Sequence, residues 1–264
     1  MADRPCRLGV VSYLNAKPLI EGLEQDPGFV LVLDVPARLP AMLDDGRVDI
    51  ALVPTVDFVQ PGRDWRIVSN ACIGCDGETL TVRVFSRGPA EGVRRLFVDG
   101  DSHTSVALAR ILWREYYGRT LEILPLDQRS GKCEDDGVLL IGDKVIRHGL
   151  IGYDVETDLG SLWKSMTTLP FVFAAWAARA DADFDTAAVA RRLAAARDAG
   201  VAAADMIAAD LGPGLGWPVN LARRYLTQRL KFTLGPRQRE GMNRFLALAR
   251  SHALVPRESE LVFA

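Results

Sequence analysis

Strand–helix–strand order, repeated with short loops, is the feature of this sequence that most restricts its fold. Apolar runs at 9–14, 29–35 and 49–55 alternate with short helical segments, and Pro18 and Gly46 stand where helices begin and end. Strands joined through helices lie parallel, and such sheets are covered on both faces. Residues 1 to about 60 are therefore predicted to form a parallel α/β sheet. The whole chain has 264 residues, which is long enough to bury a sizeable core in one or two domains.

Asn15 lies where the first strand passes into a helix that opens near Pro18. A strand that runs straight into a helix leaves free N–H groups and the positive end of the helix dipole facing the region beyond the strand. The Asn15 amide can donate and accept hydrogen bonds there. The same position also suits an N-cap or turn residue, and spacing leaves both interpretations open.

Composition excludes several classes of function. The net charge of −2 gives no electrostatic case for a nucleic acid or an anionic membrane partner, and 48% hydrophobic with 25% charged residues is ordinary for a globular protein. No run reaches the roughly 18 apolar residues of a membrane span. The polar residues 1–5 and the short first apolar run do not form a secretion signal, so we expect a cytoplasmic protein.

The cysteines do not favour a redox or metal site. Cys72 and Cys75 match a C-x-x-C pattern, but Asp76-Gly77 follows them as a turn signal where a redox motif would open a helix. The histidines at 103, 148 and 252 stand singly, so a zinc site lacks a second ligand pair. We expect Cys72, Cys75, Cys6 and Cys133 to be structural or incidental, and we expect no metal site.

Two strands, 65–71 and 79–86, are predicted around the turn at 72–77. Alternation places Thr79, Thr81 and Arg83 on one face of the second strand, which then carries two hydroxyls and a guanidinium, although a solvated face would look the same. The break at 86–89 predicts a crossing into a second lobe.

The second lobe is predicted to open with a strand at 95–99, a polar turn at 102–105 and a helix at 106–117 ended by Gly118. Hydroxyls at a helix N-terminus can converge with N–H groups on an anion, and capping alone would favour the same residues. The loop 127–137 precedes a strand that ends at Gly142-Asp143, where open α/β sheets bind ligands, and a short helix to about His148. Asp143 also suits a helix N-cap.

A Thr-Thr/Pro break at 167–170 and an aromatic strand predict the return to the first lobe near Phe173, followed by helices from Thr186. The predicted fold is therefore α/β and two-lobed, with residues 1–86 and 174–264 forming lobe 1 and 87–173 forming lobe 2. A ligand would lie in the cleft between the lobes, which would close around it like a hinge.

Several ordered motifs resemble one known family over nearly the whole chain. They are 13–19 (YLNAKPL), 49–54 (DIALVP), 102–105 (SHTS), 140–143 (LIGD), 158–163 (DLGSLW) and 169–176 (LPFVFAAW). This set resembles the chorismate dehydratases of the futalosine route to menaquinone. The resemblance implies a type II periplasmic-binding-protein-like fold and a carbon–oxygen lyase that converts chorismate to 3-[(1-carboxyvinyl)oxy]benzoate and water, without a cofactor.

The resemblance also implies site residues. The family's functional Asn falls on Asn15, and its functional Ser falls on Thr81, which keeps the hydroxyl and adds a methyl group. His103 and Thr168 depart from the family pattern, which has Arg and Gly there. The expected substrate-binding residues are Ser12, Tyr13, Ser102, His103, Thr104, Ser105, Asp143, Thr167 and Thr168.

No His–Asp or Glu pair at these motif positions is an obvious strong base. We therefore expect the enolpyruvyl carboxylate of the substrate to take the proton, with Asn15 and Thr81 orienting it and the leaving hydroxyl. Asp143 as acid or base is the alternative. Two other functions stay open: the sister enzyme that makes 1,4-dihydroxy-6-naphthoate with a His base, and a non-catalytic solute-binding protein for a small anion.

Overall fold

The computed structural model describes residues 4–129, 136–147, 152–256 and 260–263. Its strands are β1 (Cys6–Val11), β2 (Phe29–Asp34), β3 (Ile50–Pro54), β4 (Trp65–Cys75), β5 (Val82–Ser86), β6 (Arg95–Val98), β7 (Glu122–Pro125), β8 (Asp136–Ile141), β9 (Val155–Asp158), β10 (Phe171–Arg179) and β11 (Leu230–Thr233). Its α-helices are α1 (Leu39–Asp44), α2 (His103–Tyr117), α3 (Asp143–Arg147), α4 (Leu159–Thr167), α5 (Thr186–Ala202), α6 (Ala204–Leu211), α7 (Val219–Arg224) and α8 (Pro236–Ser251).

The first sheet has six strands in the order β11-β4-β10-β3-β1-β2. β1 runs parallel to β2 and β3, as the strand–helix–strand order predicts, whereas β10 and β11 pair antiparallel. Every residue of the central β3 is buried, because helices cover both faces of the sheet there. Trp163 of α4, Phe171 of β10 and Phe245 of α8 pack edge to face beside it and bind the helices to the sheet.

The second sheet has five strands in the order β7-β6-β8-β5-β9. β6 is parallel to β7 and β8, and β5 is antiparallel to β8 and β9. Two sheets, each flanked by its own helices, confirm the α/β class and the two-lobed architecture.

Both strands predicted on either side of residues 72–77 are present, but the turn predicted between them at 72–77 is wrong. β4 continues through Cys75 in the first sheet, and β5 pairs only within the second sheet. The chain changes sheets between these strands because Leu80 takes a left-handed φ of +68°, which breaks the alternation expected from residues 79–85. The N–H groups of Thr79 and Leu80 donate to the Asp158 carboxylate, which fixes this crossing.

The strand memberships also differ from the expected lobe boundaries. Val82–Ser86 was expected in lobe 1 and pairs in the second sheet, and β10 joins the first sheet from Phe171, before the expected return at 174. The chain therefore crosses after Cys75 and returns after Thr167. The division of the molecule into two domains as independent units stays a prediction.

The helix after β1 begins earlier than the sequence indicates. It is a 3₁₀-helix over Leu14–Leu19, so Asn15 lies inside it, and Tyr13 occupies the N-cap without a side-chain hydrogen bond. The capping interpretation of Asn15 is therefore wrong. α2 ends at the left-handed Gly118 as predicted, and it begins at His103 because Ser102 caps it by accepting the N–H of Ser105.

Some sequence predictions fall outside the described residues. These are the state of Cys133, most of the loop expected at 127–137, and the end of the short helix expected near His148. Over the described ranges, no helix combines the length and the apolar character that crossing a membrane requires.

Candidate functional site

A mostly apolar cavity lies where the two sheets face each other. Its free space is about 40 Å³, which holds water but not a ring-sized molecule in this closed arrangement of the lobes. The polar side chains in its wall are Tyr13, Asn15, Thr79, Thr81, Ser102, Ser105 and Tyr225. The first lobe, the second lobe and the crossing segment between them each contribute to this set, so the cavity forms only when the lobes meet.

Asn15 enters the cavity wall from the first turn after β1. Its Oδ1 atom is buried and has no hydrogen-bond partner among the described residues. A buried polar atom without a partner costs on the order of 1–3 kcal/mol, and native proteins keep few of them. An amide oxygen held this way in a cavity wall is an acceptor suited to a ligand.

Thr81 lies on the crossing segment and is almost fully buried. Its Oγ1 is 2.7 Å from the Oη of Tyr225, and its carbonyl oxygen accepts the N–H of Gly142 at 2.9 Å. Asp158 holds the preceding two residues, and the same carboxylate caps α4 through the N–H of Ser161 at 3.0 Å. Burial raises the pKa of Asp158, against the three backbone N–H groups that favour its charged form.

Tyr225 reaches the cavity from a π-helical turn, Tyr225–Arg229, that follows α7. Its ring stacks on Trp217, with centroids 4.7 Å apart and planes 17° from parallel. Burial raises the pKa of Tyr225, and hydrogen bonds with Thr81 and Asn15 oppose that shift only partly. The phenol is therefore neutral at physiological pH.

Asp143 lies behind the cavity wall, at the start of α3. Its Oδ1 accepts the indole N–H of Trp217 at 2.9 Å, and both carboxylate oxygens lie 3.3 Å from the backbone nitrogen of Leu14. Burial raises the pKa of Asp143, while these hydrogen bonds lower it. The carboxylate joins lobe 2 to two elements of lobe 1, and it is not part of the cavity lining.

The hydroxyls expected at 102–105 separate into two groups. Ser102 and Ser105 line the cavity, and their hydroxyls are 2.9 Å apart. Thr104 is fully buried and accepts the N–H of Val56 at 3.1 Å, which makes it a contact between the lobes.

His103 faces away from the cavity, into a separate surface cleft. Its Nδ1 is 2.8 Å from Oδ2 of Asp57, and Oδ1 of Asp57 accepts Arg63 at 2.7 Å. The hydrogen bond with Asp57 raises the pKa of His103. His103 therefore joins the lobes at their rim.

Tyr13 lines the cavity, whereas Ser12 does not. The Tyr13 hydroxyl donates to Asp101 at 2.7 Å, and Lys144 pairs with Asp101 and Asp99. The Tyr13 ring packs against the backbone of Gly142, where the two lobes are in contact. A Cβ at position 142 would lie 2.5 Å from the ring, so only glycine permits this contact.

Thr167 and Thr168 end α4 outside the cavity lining. The Thr167 hydroxyl donates to the Trp163 carbonyl at 2.9 Å, and Thr168 takes a left-handed φ of +62°. The glycine that the resemblance implies at this position would adopt that conformation without strain.

The structure thus brings Tyr13, Asn15, Thr81, Ser102 and Ser105 into one cavity. Sequence reasoning missed Tyr225, Trp217 and Asp158. Tyr225 and Trp217 lie in segments where the hydrophobic pattern predicts only a helix and the connection before it. Asp158 belongs to a motif already noted in the sequence, and its role as the N-cap of α4 could have identified it. Within the ranges 4–129, 136–147, 152–256 and 260–263, no cluster of three or more His, Cys, Asp or Glu side chains could hold a metal ion.

Solved structures resemble this fold. A protein from Archaeoglobus fulgidus superposes with a TM-score of 0.74 at 14% identity, covering 97% of this chain and all of that one. The periplasmic aliphatic sulphonate binding protein SsuA from Escherichia coli gives a TM-score of 0.67 at 14% identity, covering 98% of this chain and 96% of that one. These neighbours confirm a periplasmic-binding-protein-like fold.

Sequence relatives define the family. A chorismate dehydratase from Thermus thermophilus is 32% identical over 196 residues, which cover 67% of this chain and 70% of that protein. A family model described as menaquinone biosynthesis matches residues 6–251, which include every element that lines the cavity. The chain belongs to this menaquinone biosynthesis family.

Proposed function

We propose that this protein is a chorismate dehydratase, a carbon–oxygen lyase that converts chorismate to 3-[(1-carboxyvinyl)oxy]benzoate and water. The relative from Thermus thermophilus, which carries that name, supports the assignment. The observation that carries it is the buried, unpartnered Oδ1 of Asn15 in one cavity wall with the Thr81 hydroxyl. The Asn15 oxygen can accept the proton of a substrate hydroxyl, and the Thr81 hydroxyl can donate to a leaving hydroxyl or to a carboxylate.

The reaction breaks the C3–H and C4–O bonds of the chorismate ring. The electron pair from C3–H delocalises into the ring carboxylate and then forms the C3=C4 double bond, while the C4 hydroxyl leaves with the electrons of the C4–O bond. The ring is then aromatic. Hydrogen-bond donors at the carboxylates stabilise the intermediate, because they act where negative charge develops. Ser102 and Ser105 are the hydroxyls of the α2 N-terminus that line the cavity, so we assign this role to them.

The base is assigned to the substrate itself. Among the described residues that line the cavity, the titratable ones are Tyr13 and Tyr225, and burial raises the pKa of both. The enolpyruvyl carboxylate of chorismate can take the C3 proton and pass it to the departing hydroxide, which leaves as water. A base within the same molecule gains from proximity by several orders of magnitude. Asn15 and Thr81 orient these groups.

The other two functions receive less support. A His base, which the sister enzyme would need, has its candidate in His103, and that side chain lies outside the cavity in a pair with Asp57. A solute-binding role shares the fold, but fold alone does not define a reaction or a ligand.

Chorismate must enter while the lobes are apart, because the closed cavity is too small for it. We propose that closure then uses the contacts seen between the lobes, Leu14 with Asp143 and Val56 with Thr104. Closure would exclude water from a developing anion and bring Asn15 and Thr81 to the same substrate.

The test is to incubate the purified protein with chorismate and to follow the products by mass spectrometry and ultraviolet absorbance. The expected result is the loss of one water and an aromatic product that keeps the enolpyruvyl ether. Unchanged chorismate together with a saturable rise in melting temperature would reject the lyase assignment and favour the binding protein.

A further inference from the structure

Tyr225 is placed in the cavity by an unusual backbone. A π-helical turn covers Tyr225–Arg229, and such turns in proteins often occur at functional sites, since they rotate a side chain away from regular helical spacing. Its phenol is fully buried, and its ring is held by the stack on Trp217. The hydroxyl is therefore fixed in position before any ligand binds.

The hydroxyls of Tyr225 and Thr81 share one hydrogen bond, in which either oxygen could be the donor. The buried phenol proton needs an acceptor, and Oγ1 of Thr81 at 2.7 Å is the partner that the described residues supply. On this basis we take the phenol as the donor, so that the order is Tyr225 O–H to Thr81 Oγ1.

This order determines what Thr81 can do. With one lone pair of Oγ1 occupied by the phenol, the Thr81 proton must point elsewhere, and the cavity is the space beside it. The Thr81 backbone is fixed as well, because its carbonyl oxygen accepts the N–H of Gly142. The hydroxyl therefore faces a ligand as a donor, which suits a departing hydroxyl group.

From this geometry we infer that Tyr225 is a positioning residue of the proposed dehydration, one that holds the Thr81 hydroxyl as a donor toward the leaving group of the substrate. The inference rests on the proposed function. It adds no covalent step: the Thr81 proton stays on Thr81, and the C3 proton leaves with the hydroxide as described above. Its effect belongs to the transition state, where negative charge on the leaving oxygen is largest.

The experiment is a double-mutant cycle with Tyr225→Phe and Thr81→Val, using chorismate turnover by the full chain. Tyr225→Phe keeps the ring and its stack on Trp217, so we expect kcat to fall about 10- to 100-fold with KM changed less than about threefold. In the Thr81→Val background the same substitution should cause almost no further loss, because the residue acts through Thr81.

Two controls separate this role from a structural one. Tyr116→Phe removes a phenol hydroxyl from an exposed side chain far from the cavity, and it should match the wild type. Thr81→Ser keeps the hydroxyl that Tyr225 directs, so adding Tyr225→Phe in that background should lower kcat about as much as it does in the wild type. Melting temperatures of all variants show whether each one folds.

Three results would overturn the inference. They are an unchanged kcat in Tyr225→Phe, losses that multiply independently in the double variant with Thr81→Val, and no effect of Tyr225→Phe in the Thr81→Ser background. A wild-type protein that does not turn over chorismate would reject the proposed function, and this role with it. Normal wild-type turnover with an unaffected Tyr225→Phe variant would reject only the role of Tyr225.

Discussion

Two polar clusters lie where the lobes meet, and they differ in how their hydrogen bonds are satisfied. At the rim, His103 and Arg63 both pair with Asp57, and the His103 side chain is 46% exposed. In the cavity, Asn15 keeps a buried oxygen without a partner beside the paired Thr81 and Tyr225. In the rim cluster the charged side chains pair with one another, and the pair of His103 with Asp57 holds the lobes together. In the cavity cluster the Asn15 oxygen lacks a donor, and we propose that a ligand supplies one.

The largest effect is expected at Asn15. Asn15→Ala should lower kcat/KM about 10³-fold, because it removes the group that we propose orients the substrate. It should change the free energy of unfolding by less than about 1 kcal/mol, since the lost packing is offset by removal of a buried, unpaired acceptor. Chorismate turnover and denaturant unfolding measure the two quantities. An inactive variant that is also strongly destabilised would show that Asn15 is structural.

Substitution of Asp143 tests whether this buried carboxylate takes part in proton transfer or only holds the lobes closed. In Asp143→Asn an amide N–H would face the N–H of Leu14 or of Trp217, both of which now donate to the carboxylate. We expect KM to rise about tenfold with a smaller change in kcat, because closure is weakened. A pH–rate profile that loses its acidic limb in this variant would instead favour Asp143 as an acid or base.

Substitution of Thr168 tests the effect of backbone strain at a position outside both clusters. Its left-handed φ of +62° is costly for a β-branched residue and free for glycine. Thr168→Gly should raise the free energy of unfolding by about 0.5–1 kcal/mol, after the greater flexibility of the unfolded chain is deducted. Because Thr168 does not line the cavity, kcat/KM should stay unchanged. Destabilisation on denaturant titration would contradict this account.

The smallest effect is expected at the rim. The Asp57 hydrogen bond raises the pKa of His103, so the protonated pair stabilises the closed protein below the unfolded pKa of about 6.5, and this contribution is lost as the pH rises through the folded pKa. His103→Gln should therefore lower the melting temperature more at pH 5.5 than at pH 8.5. The difference should be small, because the His103 side chain is half exposed and Arg63 still pairs with the buried Asp57 carboxylate in the variant. An equal loss of melting temperature at both pH values would show that protonation of His103 does not contribute to stability.

The run at 102–105 shows how far sequence reasoning reaches. Four consecutive residues were expected to face the ligand, and only Ser102 and Ser105 reach the cavity. On a helix, residues three apart share a face while their neighbours rotate away, so His103 and Thr104 project toward other elements of lobe 1. Knowing that α2 begins at His103 would have predicted this separation.

The parallel part of the first sheet could be predicted because it depends on local order, with short helices between buried strands. The crossing could not, because it depends on Leu80 and on a carboxylate from residue 158, far away in the sequence. Tyr225 was hidden for a similar reason. Its position depends on a π-helical turn and a stack on Trp217, and neither has a periodic pattern.

The place of Thr81 has a consequence for how this protein would work over time. The residue lies on the short connection between the two sheets, and the torsion angles of such a connection change when lobes swing about it. Separation of the lobes would therefore carry the Thr81 hydroxyl away from Tyr225 and Asn15 and dismantle the reactive arrangement. The open protein would be a receptor without reactivity, and each turnover would include one assembly and one disassembly of the site.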